Sequence, residues 1–344
     1  MPDFYRCISQ LNPNNQNIAM TVIDGAYFGE KTLFSNNRKI WSQNDTGFFS
    51  RCQPELDKIQ GSGIYTIEET QIFCDILANE KTLVVCGAGH VSIPIIRIGL
   101  MIGCRVIVLE DRPLFADNAR KAGASQVICQ PFDQGLEQIP GDRDTFFIIV
   151  TRGHRYDQIC LEAIARKQHA YIGMIGSRRR TGKVKEAVIR QGGNPEVVNH
   201  IHTPIGLDIG AETPEEIAVA VMAEIIQVKN QDKRNGGYSR EIMEAILNLF
   251  SAQTCGILAT IIRRKGSAPR AVSTKMLVLP DGSCIGTIGG GCVEAELVSR
   301  ARFILREGRK DSCLCHVDMT GDDAEDQGMV CGGIIDVLME YIGP

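Results

Sequence analysis

The sequence has no excess of positive charge. It contains 37 Lys and Arg residues against 41 Asp and Glu residues, which leaves a formal net charge of −4 at pH 7. A nucleic-acid-binding domain neutralises phosphates with a basic surface, so this charge balance excludes that class of protein. Any anion that the chain binds must therefore be held by a local group of donors.

The chain also lacks a long apolar run. Its two longest apolar stretches, residues 91–104 and 217–228, are interrupted by Arg97 and Glu224. A membrane-spanning helix needs about 20 apolar residues, so neither stretch is long enough. The first residues also lack the basic start and apolar core of a secretory signal. We therefore expect a soluble, cytoplasmic protein.

Cysteines are too sparse for a disulfide scaffold. The 344 residues include 13 cysteines, and this odd number favours a reducing compartment. Hydrophobic residues make up 44% of the chain and charged residues 23%, so it can bury a sizeable core. At about 150 residues per domain, the length predicts roughly two domains.

The fold class predicted from the apolar pattern is α/β. Residues 1–78 form a β-rich N-terminal segment, with short strands separated by Asn, Gly and Ser. Residues 79–230 alternate five apolar strands with amphipathic stretches, a pattern typical of a Rossmann-like parallel sheet. Residues 231–240 have the composition of a linker. Residues 241–344 are predicted to form an α+β module with a hairpin at residues 281–282.

A glycine-rich turn follows the first strand of the Rossmann-like domain. Gly87 permits a tight turn, Gly89 lets the backbone approach a pyrophosphate, and His90 precedes the helix. The next strand ends in Glu110 and Asp111, where an acid would bind ribose hydroxyls. The sequence therefore predicts a nucleotide-like ligand here. The alternative is a tight turn that needs glycine and binds nothing.

Further polar residues follow two later strands of this domain. They lie at residues 151–154, which include His154, and at residues 177–180, which contain three arginines. Ligands bind at the carboxyl ends of strands in open α/β sheets, and arginine can bind phosphate in a bidentate manner. For each single arginine we favour a solvated helix start. His154 has the alternative role of capping its own helix.

The last module contains three glycines followed by a cysteine at a helix start. Gly290 and Gly291 are expected to expose backbone N–H groups, and the helix dipole favours a thiolate at Cys292. A second cysteine, Cys331, is also flanked by glycine. The alternative is a pair of buried structural cysteines beside tight turns.

Two other motifs in the module have simpler explanations. Residues 313–316, with the sequence CLCH, lack the spacing of a structural zinc site and are expected to be ordinary strand residues. Residues 265–270, with the sequence KGSAPR, form either a basic anion-binding loop or a plain connection between strands.

Four stretches together resemble the XdhC/CoxI family of accessory proteins for molybdenum hydroxylases. They are VCGAGHVS; YIGMIGSRRR with IHTPIGLDIGAETPEEIAVAVMAEII; GSAPR; and IGGGCVEAE with GMVCGG. The resemblance covers roughly residues 80–344. The strings IGLDIGAETPEEIA and GGGCVEAE are its most specific parts.

The resemblance implies a function in cofactor maturation. Such proteins bind molybdenum cofactor, as molybdopterin or its dinucleotide, while a cysteine desulfurase exchanges a terminal oxygen for sulfur. They then deliver it to a molybdenum hydroxylase of the xanthine dehydrogenase type. Cys292 and Cys331 would be the cofactor-binding and metal-binding cysteines, whereas Gly87 and Gly89 would belong to the Rossmann-like domain.

The chain departs from the family in its domain order. The family usually places the cysteine module first, whereas here this module follows the Rossmann-like domain. We expect a cofactor chaperone without catalytic residues, acting as a homodimer with composite sites. The alternative is an NAD(P)-dependent oxidoreductase, or a subunit of a xanthine dehydrogenase-like enzyme, because a dinucleotide fingerprint by itself does not determine function.

Overall fold

The computed structural model describes residues 2–52, 54–78, 80–231, 234, 236–267, 270–318 and 333–344, with only the backbone of Cys292. The chain divides into two compact units. The first consists of Met1–Asn79 together with Lys233–Pro344, and the second consists of Glu80–Asp232.

The first unit begins with a helix and a five-stranded sheet. Its elements are α1 (Pro2–Ser9), β1 (Asn17–Val22), β2 (Lys31–Ser35), β3 (Arg38–Ser42), α2 (Phe48–Arg51), a 3-10 turn (Leu56–Lys58), β4 (Gly63–Ile67) and β5 (Thr70–Leu77). The strand order is β3-β2-β1-β5-β4, and each neighbouring pair is antiparallel. The short strands expected at residues 18–23, 31–34 and 38–41 correspond to β1, β2 and β3. Residues 2–9 form α1, a helix that the β-rich prediction for this segment did not include.

The second unit is a parallel α/β domain. Its strands are β6 (Thr82–Cys86), β7 (Arg105–Leu109), β8 (Gln126–Ile128), β9 (Thr145–Ile149) and β10 (Tyr171–Met174). Its helices are α3 (Ser92–Met101), α4 (Pro113–Lys121), α5 (Phe132–Glu137), α6 (His154–Ile164), α7 (Arg178–Arg190), α8 (Pro195–His200) and α9 (Pro214–Gln231). The strand order is β10-β9-β6-β7-β8, with each pair parallel.

Both faces of this parallel sheet are buried. Val84 and Phe147 contribute to the apolar cluster on one face, whereas Leu83 and Phe146 contribute to the cluster on the other. Successive side chains of a strand point to opposite faces, so a doubly covered sheet requires continuous apolar runs. The chain changes direction across the sheet between β6 and β9, which is where open α/β sheets bind ligands.

The remainder of the first unit contains the last module. Its elements are α10 (Arg240–Ser251), β11 (Gly256–Gly266), β12 (Lys275–Val278), β13 (Cys284–Gly286), α11 (Gly291–Arg306), β14 (Cys313–Asp318) and β15 (Gly333–Ile342). The strand order is β13-β12-β11-β15-β14, with antiparallel pairing. β12 and β13 form the predicted hairpin. The predicted fold class, a Rossmann-like parallel sheet beside α+β and β-rich parts, is confirmed.

The first and last segments of the chain share one core. Phe4 and Leu33 belong to the same buried apolar cluster as Ile246 and Leu277. The described end of the predicted linker also packs tightly, because a Cβ at Gly236 would lie 1.8 Å from Oδ1 of Asp75. No helix among the described residues combines the length and the apolar character needed to cross a membrane.

Candidate functional site

The glycine-rich turn joins β6 to α3. Gly87 adopts a left-handed φ of +110°, and a Cβ there would lie 2.6 Å from the carbonyl oxygen of Val150. Gly89 is different, because a Cβ at that position would meet no atom within 4 Å. His90 is exposed beside it. Gly87 is therefore required by the close approach of two strand ends, whereas Gly89 leaves open space above the backbone.

The acid predicted to bind a ribose already has partners in the chain. Glu110 is completely buried. Its Oε2 accepts a hydrogen bond of 2.9 Å from the backbone N–H of Ala88, and its Oε1 accepts one of 2.9 Å from Nε of Arg112. Glu110 thus links the glycine turn to the end of β7. A ligand hydroxyl would have to displace Arg112 or the Ala88 N–H to bind this carboxylate.

Asp111 pairs with an arginine from the end of β9. Nη2 of Arg152 donates a 2.8 Å hydrogen bond to Oδ2 of Asp111, and the guanidinium lies 3.9 Å from the ring centroid of Tyr156. The Arg152 hydrogen bonds lower the pKa of the Asp111 carboxyl, although partial burial opposes them. The two predicted acids therefore connect three strand ends at the crevice.

The ion pair between Asp111 and Arg152 should make this unit less stable as the pH falls into the acid range. A lowered carboxyl pKa contributes stability above the unfolded pKa of about 3.9, and this contribution is lost as the pH falls through the folded-state pKa. We expect Asp111→Asn to flatten the dependence of the urea midpoint on pH below about pH 4. The exposed Asp117 provides the control variant, Asp117→Asn. Equal pH dependence in both variants would refute this assignment.

A basic cleft lies at the carboxyl ends of β9 and β10. Its volume is about 350 Å³, and its lining includes His154, Gln158, Ser177, Arg179, Arg180 and Lys183. Nη2 of Arg180 lies 2.5 Å from Oδ2 of Asp157, which is 1% exposed. Burial raises the pKa of Asp157, while hydrogen bonds from Thr151 and Arg180 act against this rise. Arg180 is thus held in place by a buried carboxylate, although 39% of its side chain is exposed.

A polar cluster that was not predicted from the sequence lies beneath the neighbouring loop. The Tyr171 hydroxyl donates a 2.5 Å hydrogen bond to Oε2 of Glu224, and Nδ1 of His202 lies 3.0 Å from Oε1. The backbone N–H of Gly206 also donates to Oε2, at 2.9 Å. Together these bonds lower the pKa of Glu224, although burial acts in the opposite direction. The sequence signal that could have predicted this cluster is Glu224, a single acid within the apolar run of α9.

The loop above this cluster lines a second cavity of the same unit. Residues 204–211, together with Arg178, Ile217 and Ala220, enclose about 370 Å³. A capping box begins α9 at this point, because Oε2 of Glu216 accepts hydrogen bonds from the backbone N–H groups of Glu212 and Thr213. Glu224 and this capping box thus hold the two ends of the loop.

The glycine-rich start of α11 has a left-handed backbone that glycine adopts without strain. Gly289, Gly290 and Gly291 have φ values of +135°, +79° and +66°. A Cβ at Gly290 or at Gly291 would meet no atom within 4 Å. These two glycines therefore border open space, as Gly89 does in the other unit.

The expectation of exposed N–H groups at this start was wrong for Gly290. Oε1 of Glu294 accepts hydrogen bonds from the backbone N–H groups of Ile288, at 3.1 Å, and Gly290, at 3.0 Å, and also from the Thr287 hydroxyl. Burial opposes ionisation of Glu294, but these hydrogen bonds lower its pKa. A carboxylate of the helix itself satisfies these donors, as in other N-terminal caps.

The side chain of Cys292 and the whole of Cys331 lie outside the described residues. Within the part of the chain that is described, no group of three or more His, Cys, Asp and Glu residues could hold a metal ion. The metal-ligand assignment of Cys292 and Cys331 therefore stays a prediction.

The CLCH motif lies on the edge strand β14. Burial raises the pKa of both the Cys313 and the Cys315 thiols, while Arg300 acts to lower it. Nδ1 of His316 lies 2.6 Å from Oδ1 of Asp336 on the neighbouring strand. These residues thus have the cross-strand partners of an ordinary sheet. In the KGSAPR motif, Lys265 and Gly266 end β11, while Ala268 and Pro269 lie outside the described residues.

Two family models match more than half of the chain between them. The XdhC Rossmann domain matches residues 83–225, and the XdhC and CoxI family matches residues 249–318. The chain belongs to the XdhC/CoxI family. The first match lies within the parallel sheet unit, and the second covers α11 and the strands β11 to β14 completely.

Curated relatives resemble only part of this chain. A probable xanthine dehydrogenase subunit from Bacillus subtilis (strain 168) is 30% identical over 164 residues, which cover 48% of each chain. The uncharacterized protein YqeB of Escherichia coli (strain K12) is 29% identical over 160 residues, which cover 46% of this chain and 29% of YqeB. The chain thus spans less than half the length of either relative.

One solved structure is similar over a larger share. A crystal structure of a xanthine dehydrogenase from Bacillus halodurans covers 67% of this chain and 62% of its own, with 22% identity and a TM-score of 0.49.

Proposed function

We propose that this protein is a maturation factor for a molybdenum hydroxylase of the xanthine dehydrogenase type. It binds molybdenum cofactor, holds it while a cysteine desulfurase supplies sulfur, and assists its insertion into the hydroxylase. The observation that carries this proposal is the match of two different XdhC/CoxI family models to one chain. The name of the Bacillus subtilis relative, a probable xanthine dehydrogenase subunit, supports the same class of client enzyme.

The Rossmann-like unit fits an anionic ligand that carries phosphate. Open space above Gly89 allows a phosphate to approach the backbone before α3. The cleft at the ends of β9 and β10 adds Arg179, Arg180 and Lys183, whose positive charges favour an anion. Both features lie on the edge of the sheet where ligands bind in this fold. We assign the phosphate-bearing end of the pterin to this edge.

The start of α11 fits the other end of the cofactor. Gly290 and Gly291 border open space, so a bulky group can approach the backbone beside Cys292. Thiolates are soft ligands, and the positive end of a helix dipole stabilises a thiolate. When bound, the cofactor supplies a molybdenum centre whose terminal oxygen is exchanged for sulfur. Cys292, with Cys331, would hold that centre.

An NAD(P)-dependent oxidoreductase is the second candidate. The parallel strand order and the glycine turn favour a dinucleotide. Glu110 argues against it, because the carboxylate that would bind the ribose is occupied by Arg112 and by the N–H of Ala88. Turnover of a nicotinamide cofactor by the purified chain would favour this second function.

Cofactor binding should depend on Cys292. The probe is molybdopterin released from a purified molybdenum enzyme, and the measurement is equilibrium binding to the full chain under reducing conditions. We expect Cys292→Ser to weaken binding by at least about tenfold, because it removes a soft ligand. Cys284→Ser is the matched control, because Cys284 is an exposed thiol in the same module.

A third variant tests the Rossmann-like unit in the same assay. Gly89→Val should block the phosphate without disturbing the fold, since a side chain there meets no atom. Unchanged binding by both Cys292→Ser and Gly89→Val would refute the proposed function. The expected homodimer stays a prediction, which a mixture of these two variants tests through partial recovery of binding.

A further inference from the structure

The two halves of the first unit have the same topology. Residues 2–77 run through a helix, three strands, a helical connection and two strands, and residues 240–342 repeat this sequence of elements. The strand orders are also equivalent, β3-β2-β1-β5-β4 in one half and β13-β12-β11-β15-β14 in the other. A five-stranded antiparallel sheet can be connected in many orders, so this agreement indicates a shared origin.

Strand register extends the agreement to single residues. In the first half, Thr21 of β1 pairs with Lys31 of β2. In the second half, Thr260 of β11 pairs with Lys275 of β12. The same two residue types therefore occupy equivalent positions, four residues into a strand that begins at Asn17 in one half and at Gly256 in the other.

The last strands of the two sheets are equivalent in the same register. Asp75 of β5 pairs with Ala19, and Glu340 of β15 pairs with Leu258. Ala19 and Leu258 each lie two residues before the threonine of their strand. Asp75 and Glu340 therefore occupy equivalent positions on the last strand of each half, while β15 also carries Asp336.

These charged residues pair across the halves. Nζ of Lys31 lies 2.6 Å from Oε1 of Glu340, and Nζ of Lys275 lies 2.6 Å from Oδ2 of Asp75. None of the four side chains is more than 5% exposed. The lysine of each half thus contacts the acid of the other half. Such a reciprocal pair of contacts is the signature of a two-fold interface.

Apolar residues at the interface occur in equivalent pairs as well. The first shared cluster contains Leu33 with Leu277, Trp41 with Ile285, and Leu77 with Ile342. The second contains Ile23 with Ile262 and Phe73 with Leu338. Each half thus contributes the same face of its sheet to a common core.

We propose that residues 2–78 are a second, degenerate copy of the cysteine module, and that the two copies form a pseudo-symmetric dimer within one chain. The sheet face that each module buries in the shared apolar clusters therefore packs against another copy of the same module. The order of parts along the chain is therefore module, Rossmann-like unit, module. The β-rich N-terminal segment has its origin in this duplication.

The first copy has lost the glycine-rich helix start. Its connection after β3 contains α2, which spans four residues, where the second copy has the 16 residues of α11. The backbone N–H groups of Phe48 and Phe49 donate to the carboxylate of Glu30, at 3.0 and 3.1 Å. Among the described residues of the first copy, the Glu30 carboxylate thus caps α2 in place of a glycine-rich helix start.

Hydrogen exchange of the full chain tests this pairing. Lys31→Met leaves the Glu340 carboxylate buried without its cation, which destabilises the opposite copy. We expect amide protection in β11 and β15 to fall by at least about tenfold. Lys39→Met is the matched control, because the Lys39 ammonium contacts the backbone oxygen of Phe49 in its own copy, at 2.5 Å. Its effect should be confined to residues 2–78.

Double variants distinguish pairing between copies from pairing within a copy. Replacing both members of a buried ion pair by apolar residues can be nearly neutral. Lys31→Met with Glu340→Met should therefore regain most of the lost protection, whereas Lys31→Met with Asp75→Met should not. The pair Lys275→Met with Asp75→Met should behave like the first combination. The proposal is overturned if the effects of Lys31→Met stay within residues 2–78, or if Asp75→Met restores protection as well as Glu340→Met does.

Discussion

Gly87→Ala is expected to lower the free energy of unfolding of the Rossmann-like unit by about 3 kcal/mol. Two effects add at this position. The φ of +110° is unfavourable for any residue with a Cβ, and that Cβ would lie 2.6 Å from the carbonyl oxygen of Val150. Because Val150 is backbone at the end of β9, the strand would have to move. Urea unfolding followed by circular dichroism measures the change.

Gly89→Ala provides the control for this prediction. It lies two residues further along the same turn, but its Cβ would meet no atom within 4 Å. We expect a change within about 0.5 kcal/mol, as for an ordinary surface substitution. Similar losses in both variants would mean that the turn as a whole, and not the close approach of Gly87 to Val150, determines stability.

Glu224→Ala is expected to cost about 2–4 kcal/mol and to release the loop at residues 202–212. The carboxylate accepts hydrogen bonds from the Tyr171 hydroxyl and from the backbone N–H of Gly206, and it pairs with His202. Tyr171 is 2% exposed, so its hydroxyl would be left without a partner away from water. The loss should appear in urea unfolding and as faster amide exchange in the loop.

The matched control is Glu215→Ala in the first turn of the same helix, where the side chain is exposed. We expect it to change stability by less than about 0.5 kcal/mol and to leave exchange in the loop unaltered. The interpretation of Glu224 as the residue that holds the loop would be wrong if the two variants behaved alike.

These two variants also bear on the proposed function. Gly87 shapes the turn beside the phosphate position, and Glu224 supports the loop that encloses the second cavity with Arg178. The proposed phosphate contact is at Gly89, where the backbone borders open space, whereas Gly87 packs against Val150. Any loss of cofactor binding in these variants should therefore be explained by their lower stability. Cys292→Ser should instead weaken binding by removing a ligand.

Much of the candidate site in the Rossmann-like unit was predictable because its signals are local. The run from β6 through the glycine turn into α3 lies within 20 residues, and each signal acts through backbone geometry of neighbouring positions. The capping box at Thr213 and Glu216 is local in the same way. Such features depend little on what the rest of the chain does.

The partners of the predicted acids were not predictable. Glu110 and Asp111 were correctly placed at the end of β7, but their engagement by Arg112 and Arg152 depends on how three strand ends meet. The same applies to Arg180, which reaches Asp157 on another helix. A charged side chain at a strand end has several possible partners, and only the packed sheet selects among them.

The sequence by itself determined the family and most elements of the Rossmann-like unit and of the last module. Apolar periodicity, glycine positions and capping residues specify the strands of the parallel sheet, the hairpin of β12 and β13, and the helix after three glycines, because each depends on residues within a few positions. Only the tertiary structure decided that the two ends of the chain form one unit. The Lys275–Asp75 ion pair joins residues 200 positions apart, and no local preference encodes such a contact. It exists because two equivalent sheet faces bury their apolar residues against each other and place each lysine opposite the other copy's acid.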